Sequence, residues 1–282
     1  MEKLRTWSAE LLALEITDQQ LTAFDQFSSL LIEWNQKFNL TSITDKNEII
    51  AKHFLDSLTC FKILPRTGTF RLIDLGTGAG FPGIPLKIIN PDIDLTLGDS
   101  VRKKVDFCEI VVKKFSFSNV DTVHARAEDL GQDERYREKF DWSIARAVAD
   151  LSVLAEYLLP LTKIGGQVLV MKGADIREEV QRAGTALALL GGRVSEVMPL
   201  SLPEGYGGRN LILIDLHREN TPVKPALRLN RRFPDSALLH LPDLAALNEL
   251  LIEQFQIRGG QHCLAAVPQQ TQEVIPAVSI QL

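Results

Sequence analysis

The stretch FRLIDLGTGAGFPG, residues 70–83, decides the fold of this chain. An apolar run ends at Asp74, a glycine-rich turn follows, and a helix is predicted to begin at Pro82, where the missing N–H of proline costs least. The glycines of the turn are Gly76, Gly78 and Gly80. A ligand over the carboxyl end of a parallel strand contacts bare main chain, so Cβ atoms are excluded there. The stretch therefore predicts a strand, a ligand-binding turn and a helix.

The spacing of these glycines separates two classes of cofactor. A dinucleotide fingerprint, G-x-G-x-x-G, needs a glycine at position 81, where this chain has Phe81. The observed G-x-G-x-G pattern after Asp74 suits a cofactor without a pyrophosphate. In such a cofactor the loop would bind the carboxylate and the ammonium group of an amino-acid part. The alternative is a flexible glycine-rich turn without a ligand, which the strand before it and the helix after it disfavour.

Short apolar runs alternate with helical segments on both sides of this motif. Strands are predicted at residues 70–74, 93–98, 120–124, 141–145 and 167–171, followed by a final pair at 193–198 and 210–216. Strand–helix alternation predicts parallel strands with right-handed crossovers. The final pair is joined by a loop without a helix and is therefore predicted to be an antiparallel hairpin. The predicted fold class is α/β, with a doubly wound, mostly parallel, seven-stranded sheet.

Two regions flank the predicted sheet domain of residues 69–216. Residues 1–68 form a helical lead, with one helix capped by Asp18 and a second helix over residues 46–63 that Pro65 stops. Residues 217–282 are predicted to be a basic linker followed by a small extension with a helix near residues 243–254. The composition of this extension suggests no chemistry.

The next two predicted strands end in residues suited to a nucleoside. Asp99 follows the second strand, and its carboxylate is predicted to accept both ribose hydroxyls, although an N-cap of the following helix explains it equally well. After the third strand come Ala127 and Glu128. The main chain of Ala127 and the side chain of Glu128 are predicted to contact an adenine ring. An ordinary acid in the first turn of a helix is an equally good explanation for Glu128.

Composition excludes several classes of protein. No apolar run is long enough to span a bilayer, and the first residues do not resemble a signal peptide. Three scattered cysteines, in no C-x-x-C pair, favour a reducing cytoplasm over a disulfide framework or a zinc site, and no metal site is predicted. The net charge of −5 disfavours a protein that coats nucleic acid without regard to sequence. Residues 216–234 are locally basic, which is also typical of a solvated face.

Several motifs together give a specific resemblance over about residues 20–216. They are Trp34-Asn35-x-x-Phe38-Asn39-Leu40-Thr41, His53-x-x-Asp56-Ser57, the 74–83 loop, Asp99-Ser100-x-Arg102-Lys103-Lys104, Ala127-Glu128, Arg146-Ala147 and Lys172-Gly173. This combination resembles the bacterial small-subunit rRNA guanine-N7 methyltransferases, formerly called glucose-inhibited division protein B. The resemblance implies the class I S-adenosylmethionine methyltransferase fold, which five parallel strands closed by a hairpin also match.

The resemblance implies a cytoplasmic enzyme, expected to be a monomer, that methylates N7 of one guanine in 16S rRNA, either free or in the small ribosomal subunit. The residues expected to bind S-adenosylmethionine are Asp74, Gly76, Gly78, Gly80, Phe81, Asp99, Ala127, Glu128 and Arg146. The expected catalytic residues are Asn39, Arg146 and Lys172. The expected RNA-binding residues are His53, Arg102, Lys103, Lys104, Arg231 and Arg232, of which the basic ones would contact phosphates.

The chemistry expected of such an enzyme agrees with motifs that the sequence lacks. Guanine N7 has an in-plane lone pair and needs no deprotonation, so alignment and exclusion of water are sufficient for catalysis. A cytosine-C5 enzyme would need a cysteine nucleophile, commonly in a Pro-Cys pair, and no such pair occurs. An enzyme for exocyclic amines would carry Asn/Asp-Pro-Pro-aromatic after the fourth strand, where this chain has residues 143–147, SIARA.

Three alternatives remain open from the sequence. The first is a methyltransferase for a small molecule or a protein, the second is a catalytically silent cofactor-binding ribosome-assembly factor, and the third is a nicotinamide dehydrogenase, which Phe81 disfavours. The chain also departs from the family pattern, because about fifty net-acidic residues follow the expected short basic tail. This departure leaves the role of the tail open.

Overall fold

The computed structural model describes residues 1–146 and 149–217. The expected linker, the expected helix near residues 243–254 and the two arginines Arg231 and Arg232 lie outside the described residues. No helix in the described part of the chain is both long and apolar enough to cross a membrane.

Seven strands form one sheet with the order β3-β2-β1-β4-β5-β7-β6. Their bounds are β1 Arg71–Leu75, β2 Asp94–Asp99, β3 Val120–His124, β4 Phe140–Arg146, β5 Thr162–Lys172, β6 Gly192–Ser201 and β7 Gly208–Leu216. The first five strands are parallel, and β7 pairs antiparallel with both β5 and β6. The predicted fold class, a mostly parallel seven-stranded sheet closed by an antiparallel hairpin, is confirmed.

The helices of the sheet domain follow the strands as predicted, with small differences in their ends. They are α4 Gly83–Ile89, α5 Arg102–Phe115, α6 Ala127–Leu130, α7 Leu151–Leu158 and α8 Arg177–Leu189. The helix expected near residues 128–137 is only one turn long, because the chain turns at Asp133, whose side chain accepts the main-chain N–H of Arg135. Residues 72–75 of β1 are buried on both faces, as expected for a parallel strand covered by helices, and Arg71 at its start is exposed.

The helical lead begins with α1 Glu2–Leu12 and α2 Asp18–Phe38. The N-cap of α2 is Thr17, whose hydroxyl accepts the N–H of Gln20 while the Gln20 side chain accepts the N–H of Thr17. The prediction that Asp18 caps this helix is therefore wrong by one residue, because the capping box satisfies two N–H groups where Asp18 would satisfy one. Phe38, at the end of the predicted apolar stripe, is exposed.

Residues 46–62 form one continuous helical segment, α3, as predicted, but its middle is a π-helix. The segment consists of α-helical Lys46–Glu48, π-helical Ile49–Leu55, α-helical Asp56–Leu58 and 3₁₀-helical Thr59–Lys62. The side chains of Phe27 from α2, Phe54 from α3 and Leu97 from β2 belong to one buried apolar cluster. The helical lead therefore shares its core with the sheet, and it covers the carboxyl-terminal edge of the strands near β1 and β4.

Candidate active site

The turn between β1 and α4 is fixed by main-chain hydrogen bonds to the neighbouring strand. The N–H groups of Gly76 and Thr77 both donate to the carbonyl of Gly98, at 2.7 and 3.1 Å. Gly78 has φ +62°, and a Cβ placed on it would meet no atom within 4 Å. The space beside Gly78 is therefore open. Gly80 has φ +88°, and a Cβ there would lie 2.2 Å from Cδ1 of Ile84, so packing of α4 requires this glycine.

Asp74, near the end of β1, stabilises the turn. Its Oδ2 accepts the hydroxyl of Thr77 at 2.6 Å and the N–H of Gly83 at 2.8 Å. Its Oδ1 is buried and has no hydrogen-bond partner in the described part of the chain. Burial of the carboxyl raises the pKa of Asp74 to about 6, and the two hydrogen bonds to Oδ2 oppose that rise. A buried acceptor without a donor, directly under the open turn, is suited to a donor supplied by a ligand.

Asp99 ends β2 and connects the turn to helix α5. Its Oδ2 accepts the N–H of Gly78 at 2.9 Å, and its Oδ1 accepts the N–H of Val101, the N-cap residue of α5, at 2.8 Å. The ammonium group of Lys104 lies 3.8 Å from Oδ2. Each carboxylate oxygen accepts about two hydrogen bonds, so one acceptor position on each oxygen remains for a diol. The alternative prediction that Asp99 is the N-cap of this helix is therefore wrong, because Val101 holds that position and Asp99 only accepts its N–H. This contact before the helix leaves the prediction of a ribose acceptor possible.

Ala127 and Glu128 begin helix α6 after β3, at the same edge of the sheet. Ala127 is half-buried, and Glu128 is exposed and accepts the phenol of Tyr157 at 3.2 Å. Glu128 occupies the first turn of its helix, as the simpler of the two sequence explanations expected.

A hydrogen-bonded cluster of charged side chains lies on the other side of the turn. The guanidinium of Arg146, at the end of β4, is centred 5.2 Å from the ring of Phe81, and the ring of His53 stacks on Phe81 at 4.5 Å. Arg146 Nη1 donates to Oδ2 of Asp56 at 3.1 Å, and Arg209 Nε donates to Oδ1 of Asp56 at 3.0 Å. This cluster joins α3, β4 and β7 beside the loop.

His53 is buried, and both of its ring nitrogens are engaged. Nδ1 lies 3.3 Å from Nη2 of Arg146, which can only donate, so Nδ1 is an acceptor and the proton is on Nε2. Nε2 then donates to the hydroxyl of Thr41 at 3.0 Å. Burial, reinforced by the positive charge of Arg146, lowers the pKa of His53 to about 3. The neutral ring therefore offers no free nitrogen to RNA, and a direct RNA contact by His53 does not fit this geometry.

The other two predicted catalytic residues lie apart from this cluster. Lys172, at the end of β5, pairs with Glu179 at 2.6 Å and donates to the carbonyl of Ala149. Asn39 is exposed at the C-cap of α2, with φ +49°. Within the described residues, Asn39, Arg146 and Lys172 share no hydrogen bond with one another. Of these three residues, Arg146 is the one for which the described part of the chain shows a contact with a loop residue expected to bind the cofactor, Phe81.

The three basic residues at the start of α5 differ in their partners. Arg102 is exposed and pairs with Asp106 at 3.2 Å. Lys103 is exposed and donates to the carbonyl of Phe38 at 2.7 Å. Lys104 faces Asp99, as described above, and is less exposed. Arg102 and Lys103 are therefore the more exposed residues of this set.

Residues 20–206 match the family model of rRNA small subunit methyltransferase G. The chain belongs to this family. The resemblance stated from the sequence motifs is confirmed, and membership of a methyltransferase family excludes the nicotinamide dehydrogenase.

Curated relatives carry the same name. A "Ribosomal RNA small subunit methyltransferase G" from Desulforamulus reducens is 46% identical over 218 residues, covering 77% of this chain and 91% of that protein. Another from Alkaliphilus oremlandii is 50% identical over 218 residues, covering 77% of this chain and 90% of that protein. Among solved structures, a SAM dependent methyltransferase from Aquifex aeolicus aligns with a TM-score of 0.46 at 16% identity, covering 61% of this chain and 94% of that chain.

The residues at the loop fit S-adenosylmethionine, the cofactor that the sequence resemblance implies. Open space at Gly78, the unpartnered Oδ1 of Asp74 and the remaining acceptor positions of Asp99 match a ligand with an ammonium group and a ribose diol. Sequence reasoning missed the role of Asp56 and Arg209 in the cluster. The helical spacing of His53 and Asp56 was a usable signal, whereas nothing in the local sequence connects Arg209 with either of them.

Proposed function

We propose that this chain transfers the methyl group of S-adenosylmethionine to N7 of one specific guanine in 16S rRNA. Family membership supports an rRNA methyltransferase, and the choice of cofactor is supported by the loop that Asp74 and Asp99 hold. The bound cofactor would supply a methyl group already activated on a sulfonium. We also propose that the enzyme acts in the cytoplasm, where ribosomal subunits are assembled.

The choice of N7 is supported most by the state of His53. This histidine stacks on Phe81 at the loop, yet both ring nitrogens are engaged and its pKa is about 3. It therefore cannot remove a proton from a substrate near neutral pH. A nucleophile that already has a free lone pair, such as guanine N7, does not need such a base. The protein then contributes alignment of the base and exclusion of water.

Each loop residue has a proposed part in cofactor binding. Asp74 would receive the ammonium group through its unpartnered Oδ1, and Asp99 would accept the ribose hydroxyls. Gly78 leaves room for the ligand against the main chain. Ala127 and Glu128 would contact the adenine edge, because they stand at the end of β3, one strand beyond Asp99.

The RNA would approach the same edge from the side of the helical lead. The proposed contacts with phosphates are Arg102 and Lys103, both exposed at the start of α5, together with Arg231 and Arg232 from the sequence. Lys172 and Asn39 are proposed to help position the target base. For Lys172 this requires a change of partner, since its ammonium group is paired with Glu179. His53 is proposed to act through Arg146, which it contacts, and not through the RNA.

The decisive experiment is methyl transfer with mapping of the product. The purified chain is incubated with S-adenosylmethionine carrying a labelled methyl group and with either deproteinised rRNA or whole small subunits that lack the modification. A methyl on N7 is then located by reduction and chain cleavage. We expect label at one guanine of 16S rRNA. Label in a small molecule or a protein would contradict the proposal. The absence of any label despite cofactor binding would also contradict it, and would favour a silent assembly factor.

A pair of arginine variants tests the site itself. Arg146→Lys keeps the charge but loses the planar guanidinium that contacts Asp56, His53 and Phe81, so we expect the rate of transfer to fall about 100-fold. Arg182→Lys is the matched control, because Arg182 is exposed on α8 with only surface ion pairs. Equal activity of the two variants would show that the reaction does not require the planar guanidinium of Arg146.

A further inference from the structure

Asp56 lies at the centre of the charged cluster and is itself almost inaccessible to solvent. Its side chain is 6% exposed, and each carboxylate oxygen accepts a hydrogen bond from a different arginine. Arg146 comes from β4 and Arg209 comes from β7, two strands that are separated in the sheet by β5. A single carboxylate on α3 therefore fixes two guanidinium groups that the sheet alone would not hold together.

The π-helical segment of α3 provides a second anchor for Arg146. In an α-helix the N–H of Asp56 would donate to the carbonyl of Lys52, but here it donates to the carbonyls of Ala51 and His53. The carbonyl of Lys52 instead accepts Nη1 of Arg146 at 3.0 Å. The unusual helix geometry and the Asp56 carboxylate thus act on the same nitrogen, and together they fix the guanidinium over Phe81.

The charge of Arg146 also acts on the loop. Two arginines face one carboxylate, and His53 is neutral. Another acidic group beside the loop is Asp74: burial raises its pKa to about 6, and the positive charge of Arg146 is one of the contributions that oppose this rise. Asp56 therefore sets the position of a charge that acts on Asp74 next to the turn.

The fold does not depend on Asp56 to join α3 with the sheet. Ile49, Phe54 and Leu58 of α3 are fully buried in the shared core. Near β7, the ammonium group of Lys52 lies 5.8 Å from the ring of Tyr206. Removal of the Asp56 charge leaves two arginines without their carboxylate and should lower the unfolding midpoint. The apolar packing of α3 should still keep the architecture, which makes the effect on the site measurable.

We propose that Asp56 is a positioning residue for methyl transfer, which holds Arg146 over Phe81 and keeps Arg209 beside it so that both guanidinium groups face the cofactor and the RNA. This inference rests on the proposed function, and it assigns to Asp56 a role that acts through the two arginines. It predicts that the orientation of the arginines matters in addition to their charge.

The test compares Asp56→Asn with Asp25→Asn, an exposed aspartate of the helical lead that pairs with Lys46 at 2.9 Å. For each variant we measure the thermal unfolding midpoint, the affinity for S-adenosylhomocysteine, and kcat and KM for methyl transfer to small subunits. Asp56→Asn should weaken cofactor-product binding about tenfold and lower kcat about 100-fold at a temperature where it is folded. Asp25→Asn should match the wild type in all three measurements.

The double variant Asp56→Asn/Arg209→Gln separates position from charge. It restores the net charge of the cluster, but the bridge between the two arginines is absent, so we expect affinity and kcat to stay low. Recovery of wild-type values would overturn the proposal in favour of charge balance alone. A lower unfolding midpoint with wild-type affinity and kcat in Asp56→Asn would equally overturn it. If the wild type binds the product but methylates no RNA, the proposed function fails, and the affinity measurement still decides the role of Asp56.

Discussion

Replacement of Gly78 by alanine separates the cost of backbone strain from the cost of obstructing a ligand. Gly78 has φ +62°, and an added Cβ would meet no protein atom within 4 Å. The protein therefore loses only the strain of an alanine in the left-handed region, about 1–2 kcal/mol. Gly165 is a matched control, because it has φ +76° and equally open surroundings. It lies in the amino-terminal half of β5, at the opposite edge of the sheet from the loop.

The two variants should lose similar stability but differ in cofactor binding. A loss of about 1–2 kcal/mol corresponds to a fall of about 2–8 °C in the unfolding midpoint for a domain of this size. Only in Gly78→Ala does the new methyl group enter the space that the cofactor would fill. Overpacking of that kind costs about 1–3 kcal/mol, which is a rise of about 5- to 150-fold in Kd.

Calorimetric titration with S-adenosylmethionine and scanning of the unfolding midpoint measure both effects on the same samples. The expected result is a similar fall in the midpoint for Gly78→Ala and Gly165→Ala, with weaker binding in Gly78→Ala alone. If Gly78→Ala bound the cofactor as tightly as Gly165→Ala, the ligand would not lie against this turn, and the reasoning would be refuted.

Two further predictions concern groups next to the loop. Asp99→Ala removes an acceptor for the ribose and for two N–H groups, so cofactor affinity should fall by about 1–3 kcal/mol, and calorimetry without such a loss would leave Asp99 as a helix-start contact only. His53 should stay neutral, with its proton on Nε2, from about pH 5 to pH 8 in nitrogen-15 NMR spectra, because its folded pKa is about 3 against 6.5 when unperturbed. Since this pKa is lowered, the stability that His53 contributes is complete above about pH 6.5 and is lost as the pH falls towards 3. A titration midpoint near 6.5 would contradict the buried geometry.

The sheet could be predicted from the sequence because its signals are local. Mostly apolar runs such as residues 72–75, buried on both faces, differ clearly from amphipathic helices, and the glycine turn marks where the first strand ends. The final hairpin followed from the absence of a helix between two runs. The order of the seven strands is not a local signal and comes from the structure.

The π-helical segment could not be predicted in the same way. Apolar positions such as Ile50, Phe54 and Leu58 recur every four residues, a spacing that an α-helix accommodates equally well. The choice between them depends on tertiary contacts, in this case on Arg146, which uses the carbonyl of Lys52. The sequence therefore predicted the extent of the helix but not the hydrogen-bonding pattern that matters for the site.

The residues expected to bind the cofactor could be predicted from the sequence, whereas the charged cluster of Asp56, Arg146 and Arg209 could not. Asp74 and Asp99 each follow a strand signal, so their places at one edge of the sheet could be deduced. Asp56 and Arg209 are 153 positions apart and meet only because β7 returns antiparallel beside β5. For His53, the family resemblance implied an RNA contact, whereas burial and the donor Arg146 favour a structural acceptor.

The central claim is that the turn after β1 binds S-adenosylmethionine, and direct titration of the wild-type protein tests it. Calorimetry with S-adenosylmethionine, S-adenosylhomocysteine and a nicotinamide dinucleotide should show saturable binding of the first two at one site per chain and no binding of the third. Failure to take up either of the first two ligands, with and without small ribosomal subunits present, would contradict the claim.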